Sequence, residues 1–207
     1  MYTPCRLSLP AGATPGGATP SEAVPITLDE AIGHLRINAG DEDDYVTGLI
    51  DVVQGSFERE TDRQLLTQTW IAYFNGFPPG REPIRLPKRP LQSVTEIRYR
   101  DADGLSTVWD DAEYRVTAYR GSLASYGTIQ PAVGFDYPST EQGAEVVEVE
   151  FVAGYGDEAA DIPADIKNAL LLLLAHGFQN RFPFTTTGDL PVSLKGILSH
   201  YRGALIA

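Results

Sequence analysis

Cysteine is almost missing from this sequence: Cys5 stands alone among 207 residues. One thiol makes neither an intrachain disulfide nor a cysteine-built zinc site, and such a chain suits a reducing interior. Long apolar runs are missing too. The longest, residues 169–175, has seven residues, against the roughly 18–20 that span a bilayer. No membrane contact is expected. Positive charge is scarce: 16 Lys and Arg face 28 Asp and Glu, a net charge of −12. Binding nucleic acid requires cations that neutralise phosphates, so most of this surface should repel DNA held near it. The N-terminus has neither the basic start nor the apolar block of a signal peptide.

Catalytic and ligand-binding patterns are also lacking. His34, His176 and His200 show no HxH or HExxH spacing. Gly154-Tyr155-Gly156 has neither dinucleotide-loop nor phosphate-loop spacing. Asp101-Ala102-Asp103-Gly104 opens like a calcium loop, yet position 112, where the glutamate belongs, is Ala112. Asp-Gly chemistry makes it a hairpin turn instead. Cys5 has no neighbouring base. Neither cofactor nor metal is expected.

What is present is a folded chain with 43% apolar and 10% aromatic residues. Residues 1–25 are rich in Pro, Gly, Ala and Thr, bury too little to offset ordering entropy, and read as a flexible arm. Thr27 and Glu30 have capping-box spacing, which predicts a helix from 28 to about 36. A longer helix follows the acids Asp41, Glu42, Asp43 and Asp44, its broad apolar face including Tyr45, Val46, Leu49, Ile50, Val53 and Phe57. The four acids complement the helix dipole; a divalent-metal site or a solvated acidic face is the sharper alternative, the metal disfavoured because consecutive helical residues diverge.

From residue 65 the pattern turns to strand. The run IRLPKRPLQSVTEIRYRDADG (84–104) holds a short strand stopped by Pro87, a basic kink at Lys88-Arg89-Pro90, and an alternating strand with Val94, Ile97 and Tyr99. Residues 146–152 alternate cleanly before Gly154. Pro163 then opens a third helix, apolar nearly all round, with Leu171, Leu172 and Leu174 beside its main face. Such a helix either lies central beneath the β segment or meets another subunit. The tail has Leu194, Ile197, Leu198 and Tyr201 at helical spacing, followed by Arg202. It docks on its own domain or on a partner.

Charge is segregated. Residues 26–64 hold ten acids against three Arg, and residues 141–165 hold eight acids and no Lys or Arg. Residues 81–100 carry six basic residues against two acids, the one concentrated positive patch. That patch, Lys88 and Arg89 included, suits an acidic neighbouring protein surface, DNA or solvent.

Five stretches, in order, resemble the head–tail connector (adaptor) proteins of long-tailed bacteriophages and gene transfer agents. They are ITLDEAIGHLRI (26–37), FERETDRQLLTQTW (57–70), the 84–104 run, VEVEFVAGYG (147–156) and IPADIKNALLLLLAHGFQNR (162–181). Two departures, Tyr137-Pro138 for Trp-Pro and Phe178 for a tyrosine, look like conservative packing changes.

The expected fold is α+β: a small bundle of three to four helices (26–64 and 157–207) with an inserted antiparallel β subdomain (65–156). The resemblance implies a virion protein that transforms no substrate. It implies a homo-oligomeric ring, typically twelve-fold, in the neck beneath the portal protein. Double-stranded DNA would pass through without specific binding, and a stopper or tail-side connector would dock below. Assembly would take place in the bacterial host cytoplasm. Leu194, Ile197, Leu198, Tyr201 and Arg202 are the expected portal contacts, Leu171, Leu172, Leu174, Lys88 and Arg89 the subunit contacts. Asp41, Glu42, Asp43 and Asp44 are expected to face the channel. The alternatives are a stopper or tail-completion protein and, from another class, a carboxylate hydrolase using Asp157, Glu158 and Asp161.

Overall fold

The computed structural model describes residues 6–9, 23–118, 126–181 and positions 196, 198, 199, 201 and 202. Within them the chain is α+β, with three named helices and two antiparallel sheets.

Helix α1 (Leu28–Leu35) starts as its spacing predicts. The Thr27 hydroxyl accepts from the Glu30 amide at 3.2 Å, and the Glu30 carboxylate accepts from the Thr27 amide at 2.9 Å. Lys167 also pairs with that carboxylate, and together these contacts hold its pKa below the usual value, the Thr27 amide contributing most. We expect Thr27→Ala to cost about 1 kcal/mol, read as a lower urea midpoint with unchanged slope.

Helix α2 (Asp43–Thr61) buries Val46, Leu49, Ile50, Val53 and Phe57 along one face. Helix α3 (Ala164–Asn180) buries Ile166, Ala169, Leu170, Leu173 and Leu174. These faces meet in one core that also takes Ile26, Leu65, Leu66, Leu198 and Tyr201.

The β part has its own core. Strands β1 (Arg6–Ser8), β2 (Gln68–Phe74), β4 (Leu91–Arg100), β5 (Ser106–Val108) and β8 (Val147–Ala153) form a sheet in the order β1-β2-β8-β4-β5. Strands β3 (Ile84–Arg85), β6 (Tyr114–Thr117) and β7 (Thr128–Pro131) form another, in the order β3-β7-β6. Ala72, Ile97, Val149 and Phe151 from the first sheet share the core with Ile84 and Ile129 from the second, so the sheets pack as a sandwich.

Strand β1 corrects the expectation of a flexible arm for part of its length. Arg6-Leu7-Ser8 pairs with Tyr73-Ala72-Ile71. Leu7 packs on the β core, and the Arg6 guanidinium lies 2.6 Å from Glu145 and 4.1 Å above the Tyr73 ring. A sheet edge supplies the partners that local composition lacks. Residues 1–5 and 10–22 of that arm lie outside the described residues.

At one end of the sandwich Phe77, Trp109 and Tyr137 pack ring on ring, with centroids 5.1–5.6 Å apart. The Tyr137 hydroxyl donates to the Glu82 carbonyl at 2.7 Å. Burial pushes its pKa up to about 12. In the unfolded chain the phenol ionises near 10, so its contribution is complete below pH 10 and is lost as pH rises to about 12. Denaturation midpoints should fall across that window, and fall less in Tyr137→Phe.

Candidate functional site: an arginine-held joint and the exposed faces

The chain passes between the two parts at 62–67 and 154–156, and the β3–β4 loop carrying Arg89 and Pro90 bonds to both crossings. The Gln64 amide donates to the Arg89 carbonyl at 2.8 Å and the Arg89 amide to Asp62 at 3.2 Å. Thr67 donates to Gly156 at 2.8 Å, Tyr155 to Leu65 at 3.2 Å and Gly154 to Pro90 at 2.9 Å. The crossings approach closely enough that one position needs glycine. Gly154 has φ +140°, and a Cβ there would sit 2.6 Å from the Leu66 carbonyl.

Polar groups fill the joint. The Glu58 carboxylate accepts from the Leu65 amide (3.0 Å), the Gln64 side chain (3.1 Å) and the Gln54 side chain (3.4 Å). Burial pushes its pKa up against those hydrogen bonds. Arg89 is 1% exposed and donates to the Thr61 carbonyl at 2.7 Å and the Tyr201 carbonyl at 3.2 Å. Arg63, 3% exposed, donates to the same Tyr201 carbonyl at 3.2 Å and to the Tyr155 hydroxyl at 2.5 Å.

Thr61 is the last residue of α2, so its carbonyl is one that helix geometry leaves unpaired at the negative end of the dipole. Two guanidiniums thus bind helical carbonyls, and Tyr201 is held to the junction through its own. The Tyr201 hydroxyl is fixed at its other end, 2.5 Å from Asp165. Burial, then that carboxylate, raises its pKa.

This joint decides several expectations. Arg89, grouped above with the basic patch as a subunit contact, is interior, because its charge satisfies carbonyls inside its own chain; any part in an interface is indirect. Lys88 is half-buried, its ammonium 5.1 Å from the Trp70 ring centroid, and burial lowers its pKa while Glu58 and Asp62 oppose that. Leu174 is fully buried in the helical core, Leu171 packs against it, and Leu172 is 36% exposed. Only Leu172 of the three is an exposed large hydrophobic.

Of the tail residues, Leu198 and Tyr201 are buried in their own chain's core, so the choice between own domain and partner falls to the own domain at these two. Arg202 is exposed and pairs with Glu60 at 2.7 Å. Leu194 and Ile197 lie outside the described residues.

The four acids separate into pairs. Glu42 binds Arg181 at 2.8 Å, and Asp43 accepts from the Gly40 amide at 2.9 Å. Asp41 and Asp44 are exposed. Asp161 accepts from the Glu158 amide at 3.0 Å, within a reciprocal cap on a short 3-10 turn (Ala159–Asp161). That cap is a structural use for two of the three carboxylates weighed as catalytic.

Sequence reasoning missed the arginine clamp. Arg63, Arg89 and Tyr201 are too far apart in the chain for any spacing rule to connect them. The one local hint was a basic residue beside Pro90 in a strand break.

Residues 25–121 match the sequence model of a family described as phage gp6-like head–tail connector proteins. No curated protein sequence matches the chain. Its fold matches a chain in the neck of an empty gene transfer agent (GTA) particle, computed with C6 symmetry. The TM-score is 0.72 at 24% identity, covering 98% of this chain and 97% of that one. A chain from the virion of the native GTA particle gives 0.71 at 24% identity, covering 97% of each. One from the native neck, computed with C12 symmetry, gives 0.67 at 23%, covering 92% and 94%. At these identities the likeness establishes the fold alone.

Proposed function

We propose that the chain is the head–tail adaptor of a phage-like particle. In this reading it forms a ring, twelve-fold by family resemblance, beneath the portal, extends the DNA channel and offers a platform to the next connector or stopper. The observation that carries the reading is how far the likeness extends. Nearly all of this chain and nearly all of a chain solved in a particle neck correspond, and that neck was computed with rotational symmetry.

The physical chemistry supports it. A net charge of −12 suits a lumen through which DNA must slide, since each phosphate neutralised by Lys or Arg strengthens binding. Asp41 and Asp44 are the acids assigned to the lumen, while Glu42 and Asp43 shape the loop that presents them. Leu172 is assigned to the subunit contact. On the portal side the contacts are Leu194, Ile197 and Arg202. Leu198 and Tyr201 act from inside, anchoring that segment to the joint.

Because of that anchoring, deleting residues 190–207 would also open the helical core, so it is a poor test of portal contact. Native mass spectrometry of the full chain mixed with isolated portal is cleaner. The expected complex carries one copy of this chain per portal subunit. Absence of a complex, or a single copy per portal, would refute the adaptor assignment.

A further inference from the structure

A ring of more than two copies needs two different surfaces on each copy, one meeting the other around the axis. This inference rests on the ring reading above and concerns which surfaces those are. In the sandwich, residues alternate between the shared core and the two outer faces, which lie on opposite sides.

On the five-stranded sheet, strand register puts Tyr73, Glu148 and Arg98 in one outward row, and Ile71, Glu150 and Glu96 in the next. Ile71 and Tyr73 are half-buried, so apolar surface remains accessible between the charges. Glu150 stands directly opposite Glu96, a like-charge pairing that is unfavourable in a lone chain. Arg98 pairs with Glu96, and Arg6, at the edge, is held by Glu145. Among the described residues neither the Glu148 nor the Glu150 carboxylate has an ion-pair partner.

The opposite outer face has the other sign. Register on the three-stranded sheet places Arg85, Thr128 and Thr117 in one outward row and Arg115 and Gln130 in the next, with no acid among them. Arg85 stacks 3.3 Å from the Tyr126 ring centroid. Arg115 is exposed, and its guanidinium has no ion-pair partner among the described residues.

We propose that the occupant of the acidic face is a second copy of this chain. The Arg115 face of one copy lies against the Glu148–Glu150 face of the next, a head-to-tail contact that closes the ring and relieves the Glu96–Glu150 repulsion. Complementary faces on opposite sides of one module are what a heterologous interface requires.

The test is a cysteine trap between chains. In a Cys5→Ser background, Arg115→Cys protein is mixed with Glu150→Cys protein under mild oxidation, and Arg115→Cys with Asp51→Cys serves as the control. The expected result is a disulfide-linked heterodimer at least tenfold more abundant for the first mixture, suppressed by high salt. Reversing one face with Arg115→Glu should lower self-association measured by light scattering, and Arg115→Glu mixed with Glu148→Arg/Glu150→Arg should restore it. Self-association that persists without the specific disulfide would overturn the assignment of faces and leave the ring standing. A wild-type chain that forms no oligomer at any concentration, nor with portal, would remove the ring and this contact with it.

Discussion

Arg89→Ala should lower stability by roughly 3–5 kcal/mol. The Thr61 and Tyr201 carbonyls would lose their shared donor, and the space now filled by a guanidinium 1% exposed would be left behind. For a chain of this size the loss amounts to a melting point lower by about 10 °C. Arg89→Lys should recover little, because one ammonium cannot reproduce the planar fork that reaches two carbonyls at once. Scanning calorimetry on both variants checks this. A second readout, proteolysis within residues 190–207, should rise in Arg89→Ala before global unfolding, since Tyr201 is held through that guanidinium. An alanine variant as stable as the parent would show that the joint is not held by the clamp.

Gly154→Ala should be as severe, for a different reason. With φ at +140° and backbone atoms of Leu66 and Thr67 within 2.7 Å of the added Cβ, no rotamer relieves the clash and the crossing strands must separate. A cost of at least about 3 kcal/mol is expected, combining backbone strain with overpacking. Gly48, on the exposed side of α2, is the internal control. A Cβ there meets nothing within 4 Å, so Gly48→Ala should stabilise by roughly 0.5–1 kcal/mol through helix propensity. Urea titrations of the pair should move in opposite directions. If Gly154→Ala unfolds at the parent's midpoint, the close packing of the crossings is wrong.

The contrast between these positions shows what a sequence can carry. Local rules worked where the cause is local. The Thr27–Glu30 box, the alternation of β8 and the Asp101–Gly104 turn are each set by residues within a few positions of one another. In that turn the Asp101 carboxylate accepts from the Asp103 and Leu105 amides at 2.9 and 3.0 Å.

Local rules failed where the partner is remote. Arg6-Leu7-Ser8 becomes a strand only because β2 offers an edge. Arg89 sits in the most basic stretch of the chain and reads as surface, yet two helical carbonyls from remote segments draw it inside. Leu198 and Tyr201 lie on an amphipathic tail whose periodicity is the same whether its apolar side meets its own domain or another protein. The opposed charges of the two sheet faces were hidden for a related reason. Residues 141–165 and 81–100 announced their signs, but only strand register reveals that Glu148 and Glu150 share a face with Arg98 while Arg115 projects from the other side.

The most direct test of the account is electron microscopy of the particle's neck with this chain carrying a small terminal label. The expected density is a closed ring between portal and tail, labelled once per subunit, around an open lumen wide enough for a DNA duplex. A neck complete without the label, or a label found on a solitary globular protein outside the particle, would contradict it.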